Sequence, residues 1–348
     1  MNKIEALVRP NIRALCPYST ARDEYQGSVG IFLDANESPY PTGSNRYPDP
    51  RQKALKAKLS ALKGIPAECI FLGNGSDEAI DLMFRIFCVP GVDNAVAIEP
   101  SYGMYTVAAA TNDVAMRGIR LGPDFSLPAQ ALLDAADEHT KLLFLCSPNN
   151  PSGNAFPTAE LEALIRRWPG IVVLDEAYAD FSAKGSLRGR LAEFPNLVIF
   201  QTLSKAYGLA GLRLGMAFAS PYIIRLMSMV KYPYNINQST QELASRALDT
   251  SNDERIAEIV SQRERLAAAL PAFRCVQRVY PSDANFLLVQ VDDADRLYAH
   301  LLADGIIVRN RSRVPLCAGC LRITVGLPTE NDKLLKSLQA YEKGDIHR

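Results

Sequence analysis

Lys205 has the sequence surroundings of a lysine that forms a Schiff base. It follows Ser204 and precedes a small, apolar, glycine-containing stretch that ends at Arg213. Glycines let the backbone bend tightly, and apolar neighbours partly desolvate the amine. Burial lowers the pKa of an ammonium group, which frees the amine to attack a carbonyl. The alternative is an ordinary surface lysine on a loop, and the other motifs of the chain bear on that choice.

A glycine-rich turn in the first third of the chain is typical of an anion site. Segment 73–78 (GNGSDE) follows the β-like run 69–72 and opens a predicted helix over residues 77–87. Ser76 or Asp77 can cap this helix, and the free N–H groups of its first turn would bind a phosphate. A strand-to-helix turn with a good cap and no ligand is the alternative.

Three further segments carry polar or aromatic side chains after β-like runs. Segment 147–153 (SPNNPSG) contains two prolines and a glycine that hold an Asn side chain rigidly, although the same residues also make ordinary turns. Asp175 ends an apolar, buried strand and needs a cationic partner, for which a protonated pyridine nitrogen is suitable. Tyr102 follows the run 95–98 and offers a face for stacking on a planar ring.

These motifs together are a phosphate cradle, a ring-stacking face, an aimed amide, a buried acid and an amine. A phosphorylated pyridine aldehyde uses all five. Ligands of open parallel sheets bind outside the carboxyl ends of the strands, and each motif follows a β-like run. The sequence therefore predicts one composite site.

The elements that must position this site alternate between strand-like and helical patterns. Residues 50–63 have helical apolar spacing that ends at Gly64. Beyond the turn at 73–78, the predicted strands are 95–98, 141–146, 171–174 and 197–201, and the predicted helices are 104–110 and 158–167. Such alternation indicates a largely parallel sheet flanked by helices.

The chain divides into three predicted parts. Residues 1–40 form an N-terminal arm, residues 41–250 a large domain, and residues 251–348 a small α/β domain. A long helical stretch over about 238–270 joins the last two. The predicted strands of the small domain are 285–291, 306–308 and 321–325.

The composition excludes several classes of protein. Lys and Arg balance Asp and Glu at 38 each, so there is no basic excess to bind nucleic acid. No apolar run approaches the roughly 20 residues needed to span a bilayer, and the N-terminus lacks a signal peptide's apolar core. Seven cysteines fit a reducing cytoplasm, and the pair Cys317 and Cys320 lacks the partners of a metal site. We expect a cytoplasmic protein without a metal.

The motifs resemble those of the fold-type I pyridoxal phosphate enzymes, specifically the class I and II aminotransferases. Within that class the chain is most similar to the histidinol-phosphate aminotransferases. The similarity extends over nearly the whole chain, from segments 34–37 (DANE) and 45–48 (NRYP) to segment 321–326 (LRITVG).

The resemblance implies roles for individual residues. Lys205 forms the Schiff base and shuttles the proton, Asp175 pairs with the pyridine nitrogen, and Tyr178 hydrogen-bonds the ring's phenolic oxygen. The full cofactor-binding set that it implies is Gly75, Ser76, Asp77, Tyr102, Asn150, Asp175, Tyr178, Thr202, Ser204, Lys205, Arg213 and Tyr47. Tyr47 would reach the neighbouring subunit's cofactor, which implies a homodimer with shared active sites.

The implied substrate-binding residues are Tyr18, Asn36, Arg309 and Arg322. A planar guanidinium binds either a carboxylate or a phosphate, as a site for two dissimilar substrates requires. Segment 36–43 (NESPYPTG) departs from the family pattern, in which a Gly follows Asn-Glu-Asn-Pro-Tyr. The loop at the substrate end is therefore expected to differ.

The resemblance implies ping-pong transfer of an amino group from L-histidinol phosphate to 2-oxoglutarate, giving imidazole acetol phosphate and glutamate. Three alternatives stay open. They are an aminotransferase for aromatic or other amino acids, a threonine-phosphate decarboxylase, and a non-catalytic module that binds pyridoxal phosphate.

Overall fold

The computed structural model describes residues 3–18, 21 and 30–345. Parts of the predicted N-terminal arm, and the last three residues of the predicted small domain, lie outside the described residues. Within the described part, the helices are α1 Lys3–Leu7, α2 Pro10–Arg13, α3 Lys53–Lys63, α4 Gly75–Phe87, α5 Met104–Thr111, α6 Ala129–Asp134, α7 Thr158–Arg167, α8 Pro221–Val230, α9 Gln238–Ala247, α10 Asp253–Ala269, α11 Ala294–Ala303 and α12 Pro328–Asp345.

The strands form two sheets within the same residues. The first seven are β1 Ile70–Asn74, β2 Asn94–Glu99, β3 Ala115–Arg120, β4 Thr140–Cys146, β5 Ile171–Asp175, β6 Leu197–Thr202 and β7 Leu214–Phe218. They make one sheet in the order β1-β7-β6-β5-β4-β2-β3. The remaining four are β8 Val276–Val279, β9 Phe286–Val291, β10 Arg309–Asn310 and β11 Cys320–Thr324, in the antiparallel order β10-β11-β9-β8.

The direction of the strands decides where their carboxyl ends meet. Strands β2 to β6 pair in parallel, whereas β7 is antiparallel to both β6 and β1. Because β7 is antiparallel to both of its neighbours, β1 and β6 run in the same direction. The loops after β1, β2, β4, β5 and β6 therefore lie at one edge of the sheet, as the predicted α/β fold requires.

The centre of the large sheet is buried on both faces. Strands β5 and β6 have every residue buried, and their runs of Val, Ile, Leu and Phe are typical of central parallel strands. One apolar cluster includes Trp168 and packs on one face, while a second includes Phe144 and packs on the other. The site is therefore built on a rigid platform.

Several predicted boundaries are wrong for identifiable reasons. The predicted helical stretch 238–270 is two helices, because the chain leaves the helix at Leu248 and begins a new one after Asn252. The predicted strand 306–308 is irregular, and the neighbouring residues of β10 pair with β11 instead. The predicted helix over residues 50–63 begins at Lys53, because Gln52 adopts a left-handed conformation with φ of 48°.

The cap predicted for the helix after the glycine-rich turn is also wrong. This helix, α4, begins at Gly75 with Asn74 at the N-cap position, and no side chain caps it. Asn74 instead donates its side-chain N–H to the backbone oxygen of Asn235, 161 residues away. Ser76 and Asp77 lie inside the first turn of the helix, so neither occupies the cap position.

Strands β3, β7 and β8 and helices α6 and α8 were not predicted. Arg117 and Arg120 interrupt the apolar pattern of β3, which lies at the edge of the sheet. In the described part of the chain, no helix combines the length and the apolar character needed to cross a membrane.

Candidate active site

A cleft with a cavity volume of about 150 Å³ opens at the carboxyl edge of the large sheet. Eleven of the twelve residues implied to bind the cofactor line it: Gly75, Ser76, Asp77, Tyr102, Asn150, Asp175, Tyr178, Thr202, Ser204, Lys205 and Arg213. Five separate loops contribute these residues. The composite site expected from the strand ends thus exists as one cavity.

Lys205 projects into this cleft from the loop after β6. Its Nζ lies 5.7 Å from the centre of the Tyr178 ring. The side chain is reached by solvent through the mouth of the cleft, yet the protein atoms packed around the amine lower its pKa, with a further lowering by Arg322. Asp175 opposes this change by raising the pKa of Lys205. The amine therefore loses its proton more readily than that of an ordinary lysine.

Asp175 lies at the floor of the cleft and is 3% exposed. Burial raises its pKa, whereas a hydrogen bond from the Tyr105 hydroxyl to Oδ2 (2.7 Å) and one from the Ala177 N–H to Oδ1 (3.0 Å) lower it. A buried carboxylate with only these donors is destabilised by desolvation. A cation bound in the cleft would compensate for that cost.

The opposite end of the cleft is built for an anion. The first-turn N–H groups of α4 at Ser76 and Asp77 face it, and such groups have no partner within a helix. Arg213 adopts a left-handed conformation with φ of 54°, and its Nη2 lies 3.6 Å from Asp77 Oδ2. This arrangement places a guanidinium beside a helix N-terminus, as phosphate sites require.

Gly215 lets the neighbouring strand β7 approach this turn closely. A Cβ atom at Gly215 would lie 2.2 Å from both the carbonyl carbon of Gly75 and the nitrogen of Ser76. No side chain fits there without displacing the backbone of the turn. The close approach of β7 to the turn therefore explains why position 215 is a glycine.

Arg322 comes from strand β11 of the small sheet and contacts the cleft wall at Asn150, although neither Arg322 nor Arg309 is among the described residues that line the cleft. Its Nη1 donates to Asn150 Oδ1 (2.5 Å), while its Nε is buried and has no hydrogen-bond partner within the described residues. Arg309 lies opposite Arg322 in the β10–β11 pair and is exposed. The unpaired Nε of Arg322 and the positive charge of Arg309 nearby favour the binding of an anionic ligand.

Tyr47, Tyr18 and Asn36 are not among the residues that line the cleft. Tyr47 is 50% exposed and its ring stacks on Tyr234, with centres 4.4 Å apart. Tyr18 is 76% exposed and borders another cavity beside α8. Asn36 has a left-handed φ of 55° in an exposed loop. Within one chain, the structure does not bring these three to Lys205.

The sequence reasoning missed Tyr105. Its ring is 1% exposed, stacks on Phe144 with centres 4.9 Å apart, and contacts Tyr102 edge-on. Tyr105 lies three residues after Tyr102, at a spacing that puts two side chains on one face of a helix. That spacing was the available signal. Cys146, Ala177 and Ala210 also line the cleft and were not identified.

The family of the chain follows from comparison with known proteins. The model for "Aminotransferase class I and II" matches residues 36–338. The chain belongs to this family. Its members use pyridoxal phosphate, so this chain is a pyridoxal phosphate-dependent aminotransferase, and the predicted class, cofactor and fold type are confirmed.

Relatives and solved structures agree with this result. The chain is 54% identical over 344 residues to the histidinol-phosphate aminotransferase of Parabacteroides distasonis, covering 97% of this chain and 99% of the relative. A structure of the Sinorhizobium meliloti histidinol-phosphate aminotransferase with pyridoxal-5'-phosphate is 24% identical, with a TM-score of 0.77 over 88% of this chain and 90% of that one.

The fold by itself does not distinguish the reaction. The L-threonine-O-3-phosphate decarboxylase from Porphyromonas gingivalis is 23% identical, with a TM-score of 0.72 over 86% of this chain and 91% of that one. At these identities the two structures show only a shared architecture. Evidence about the substrate comes instead from the relative that is 54% identical in sequence.

The residues of the cleft fit pyridoxal phosphate at each end. The buried Asp175 carboxylate lacks a cation, which a protonated ring nitrogen supplies, and the α4 turn with Arg213 suits a phosphate. Tyr102 stands at the side of the cleft, with its hydroxyl hydrogen-bonded to Asp77 Oδ1 at 3.1 Å. Acid, phosphate site, aromatic ring and amine are thus all present in one cavity.

Proposed function

We propose that the protein transfers an amino group from L-histidinol phosphate to 2-oxoglutarate in histidine biosynthesis, giving imidazole acetol phosphate and glutamate. The observation that supports this proposal most strongly is that the chain is 54% identical, over nearly its full length, to a histidinol-phosphate aminotransferase. The arrangement supports it, because Lys205 and Asp175 supply an amine and a buried acid in the cleft, and Arg322 supplies a guanidinium that is hydrogen-bonded to Asn150 in the cleft wall.

Five side chains would hold the cofactor's ring. Lys205 offers the amine for covalent attachment, and Asp175 would accept a hydrogen bond from the ring nitrogen. Tyr178 and Asn150 would orient the phenolic oxygen, and Tyr102 would cover the ring face. When bound, the cofactor supplies an electron sink for the electron pair released at the substrate's α-carbon.

Lys205 would move the proton. The Lys205 amine would be the group that takes the proton from the substrate's α-carbon and returns it during the transfer. Burial and Arg322 lower the pKa of Lys205, which keeps more of the amine neutral for this transfer. Asp175 would hold the ring nitrogen protonated throughout, because its buried carboxylate gains most from a nearby cation.

Arg322 would bind the anionic end of both substrates. Its Nε is unpaired within the described residues, and its Nη1 is held by Asn150. The exposed guanidinium of Arg309 adds charge nearby, and it lowers the pKa of Arg322 after the larger effect of burial. Asn36 and Tyr18 would contribute contacts from the loop and the arm.

The domain division and the assembly are part of the same proposal. We assign residues 1–40 to an arm, 41–250 to a cofactor-binding domain and 251–348 to a small domain. The exposed residues Ile31, Leu33 and Tyr40, at 90%, 87% and 75%, support burial by a second copy. Tyr47 would then reach the partner's cofactor phosphate. The presence of seven cysteines, an odd number scattered through the chain, supports a cytoplasmic location, which cell fractionation would check.

Shared active sites have a direct test. Tyr47→Ala and Lys205→Ala each damage both sites of a homodimer, but a mixed dimer contains one site with both native residues. Unfolding and refolding the two variants together should restore turnover that neither variant has alone. Activity no higher than the sum of the separate variants would exclude the sharing.

The substrate is tested by a half-reaction. L-Histidinol phosphate, added without a keto acid, should bleach the yellow absorption of the cofactor-loaded protein, and 2-oxoglutarate should restore it. Lys205→Ala should bind the cofactor without that absorption and without turnover. Bleaching only by aromatic amino acids would assign a different substrate. Carbon dioxide release from threonine phosphate with no keto-acid requirement would identify a decarboxylase, and no response to any amine would leave only a binding module.

A further inference from the structure

Asn235 makes a set of hydrogen bonds just outside the cleft. Its Nδ2 donates to the backbone oxygen of Leu72 (3.0 Å) and to both carboxylate oxygens of Glu78 (3.1 Å each). Its Oδ1 accepts from Gln52 Nε2 at 3.3 Å. Acceptors at one end and a donor at the other fix the orientation of the amide. Asn235 does not line the cleft, so any role is indirect.

These bonds hold the turn that forms the anion end of the cleft. Glu78 Oε2 accepts the backbone N–H of Asn74 (2.5 Å), and Asn74 donates its side-chain N–H to the backbone oxygen of Asn235 (2.6 Å). Gly75 follows directly and donates its N–H to the Arg213 oxygen at 2.7 Å. The backbone immediately before the first-turn N–H groups of α4 is therefore held from the Asn235 side.

The same segment also holds the tyrosine pair. Tyr234 precedes Asn235 and stacks on Tyr47 with an angle of 14° between the rings. Lys231 donates to the backbone oxygen of Pro50 at 3.0 Å, and Gln52 donates to that oxygen at 2.9 Å. Residues 231–235 thus bridge the loop that carries Tyr47 and the turn before α4.

We propose that Asn235 is a positioning residue for the cofactor phosphate, which holds the α4 turn and keeps Tyr234 against Tyr47. This inference rests on the proposed function, because it presumes that the turn binds a phosphate. Asn235 couples the phosphate contact made within one subunit to the tyrosine that serves the partner. It acts through Glu78 and Asn74 and touches no reacting atom.

Comparison of two ligands tests the positioning role. Pyridoxal has the ring and the aldehyde of pyridoxal phosphate but lacks the phosphate, so its binding does not use the anion end of the cleft. In the Asn235→Ala apoprotein, the Kd for pyridoxal phosphate should rise by about 10-fold, as expected for one lost hydrogen bond to a charged group. The Kd for pyridoxal should stay within about twofold of the native value.

Asn237→Ala is the matched control. Asn237 caps α9 by accepting the Thr240 N–H at 2.8 Å, and within the described residues its side chain makes no hydrogen bond to the turn before α4. Its loss should therefore leave both Kd values unchanged. If Asn235→Ala does not fold, Asn235→Asp keeps the volume and the Gln52 contact while it opposes the Glu78 carboxylate. That variant should show the same selective loss.

A double-mutant cycle with Tyr47→Ala tests the coupling. The combined loss of pyridoxal phosphate affinity should be smaller than the product of the separate losses, because both variants release the same tyrosine pair. Multiplicative losses would refute the coupling. Parallel loss of both ligands, or no loss of either, would refute the positioning role. Failure of the native protein to bind pyridoxal phosphate would instead refute the proposed function.

Discussion

Tyr105→Phe isolates the contribution of a single hydroxyl to the acid at the floor of the cleft. The ring that remains keeps its contacts with Phe144 and Tyr102, at centre distances of 4.9 and 5.6 Å. The change removes only the O–H that donates to Asp175 Oδ2 at 2.7 Å. Little repacking is therefore expected.

The magnitude follows from the burial of the acceptor. Asp175 is 3% exposed, so water cannot replace the lost donor. A hydrogen bond to a charged group contributes about 1.5–3 kcal/mol, which corresponds to a loss of about 10- to 100-fold in kcat if Asp175 must stay ionised beside the ring nitrogen.

The pH dependence of the apoprotein has a definite sign. Burial raises the pKa of Asp175 in the folded state, and the Tyr105 hydrogen bond opposes that rise. An ionised Asp175 therefore costs stability, and this cost appears as pH rises above the ordinary carboxyl pKa. Tyr105→Phe should lower the free energy of unfolding more at pH 7 than at pH 4, where the carboxyl is protonated.

Steady-state kinetics and urea unfolding at the two pH values measure both effects. Tyr298→Phe, in α11 beside the small sheet, is the control for loss of a tyrosine hydroxyl away from the cleft. If Tyr105→Phe retains kcat within twofold and loses equal stability at pH 4 and pH 7, Asp175 does not depend on this hydroxyl and the reasoning is wrong.

Three other substitutions test separate parts of the structure. Gly215→Ala should weaken pyridoxal phosphate binding and lower stability by about 1–3 kcal/mol, because its Cβ would meet the Gly75–Ser76 backbone at 2.2 Å. Gly211→Ala, with no atom within 4 Å, is its control in calorimetric titration and thermal melting. Arg322→Lys should raise KM for both substrates about 10-fold, with a smaller effect on kcat. The reason is that an ammonium group cannot bind Asn150 and a carboxylate together as a planar guanidinium does. An unchanged KM in steady-state kinetics would exclude Arg322 from the substrate site. Lys56→Met concerns a lysine whose pKa is lowered to about 8 by burial and then by Lys231. The charged form is disfavoured in the folded state below that pH, so the variant should be about 2 kcal/mol more stable at pH 7. This gain in the free energy of unfolding should shrink as pH rises from 8 to 10.5. Chemical denaturation across that range measures it, and a gain that does not change with pH would contradict the prediction.

Local sequence patterns predicted that several distant loops would meet in one cleft, and the structure brings them together there. Each motif follows a strand, and a parallel sheet gathers its strand ends at one edge, so loops from distant parts of the chain converge. Asp175 and Lys205 are recognisable for this reason. Gly64 likewise marks the end of α3 with a left-handed φ of 66°, as the sequence predicts.

Long-range contacts were outside the reach of such patterns. Arg322 meets Asn150 across 172 residues, and Asn235 meets Asn74 across 161. Neither contact produces a periodic pattern in the sequence, because the two partners belong to different elements. The packing of those elements decides which residues come into contact. The cap predicted at Ser76 or Asp77 is wrong because the helix begins earlier, at Gly75.

The sequence alone determined the chemistry: a lysine in a desolvating loop, an acid ending a buried strand, and a glycine-rich turn before a helix. These depend on residue type and on short-range backbone preferences, which act within a few positions. The tertiary structure decided the antiparallel course of β7, the Tyr105 donor to Asp175, and the hydrogen bonds of Asn235. Those features depend on which surfaces pack together, and burial then sets the pKa of each group that the packing encloses.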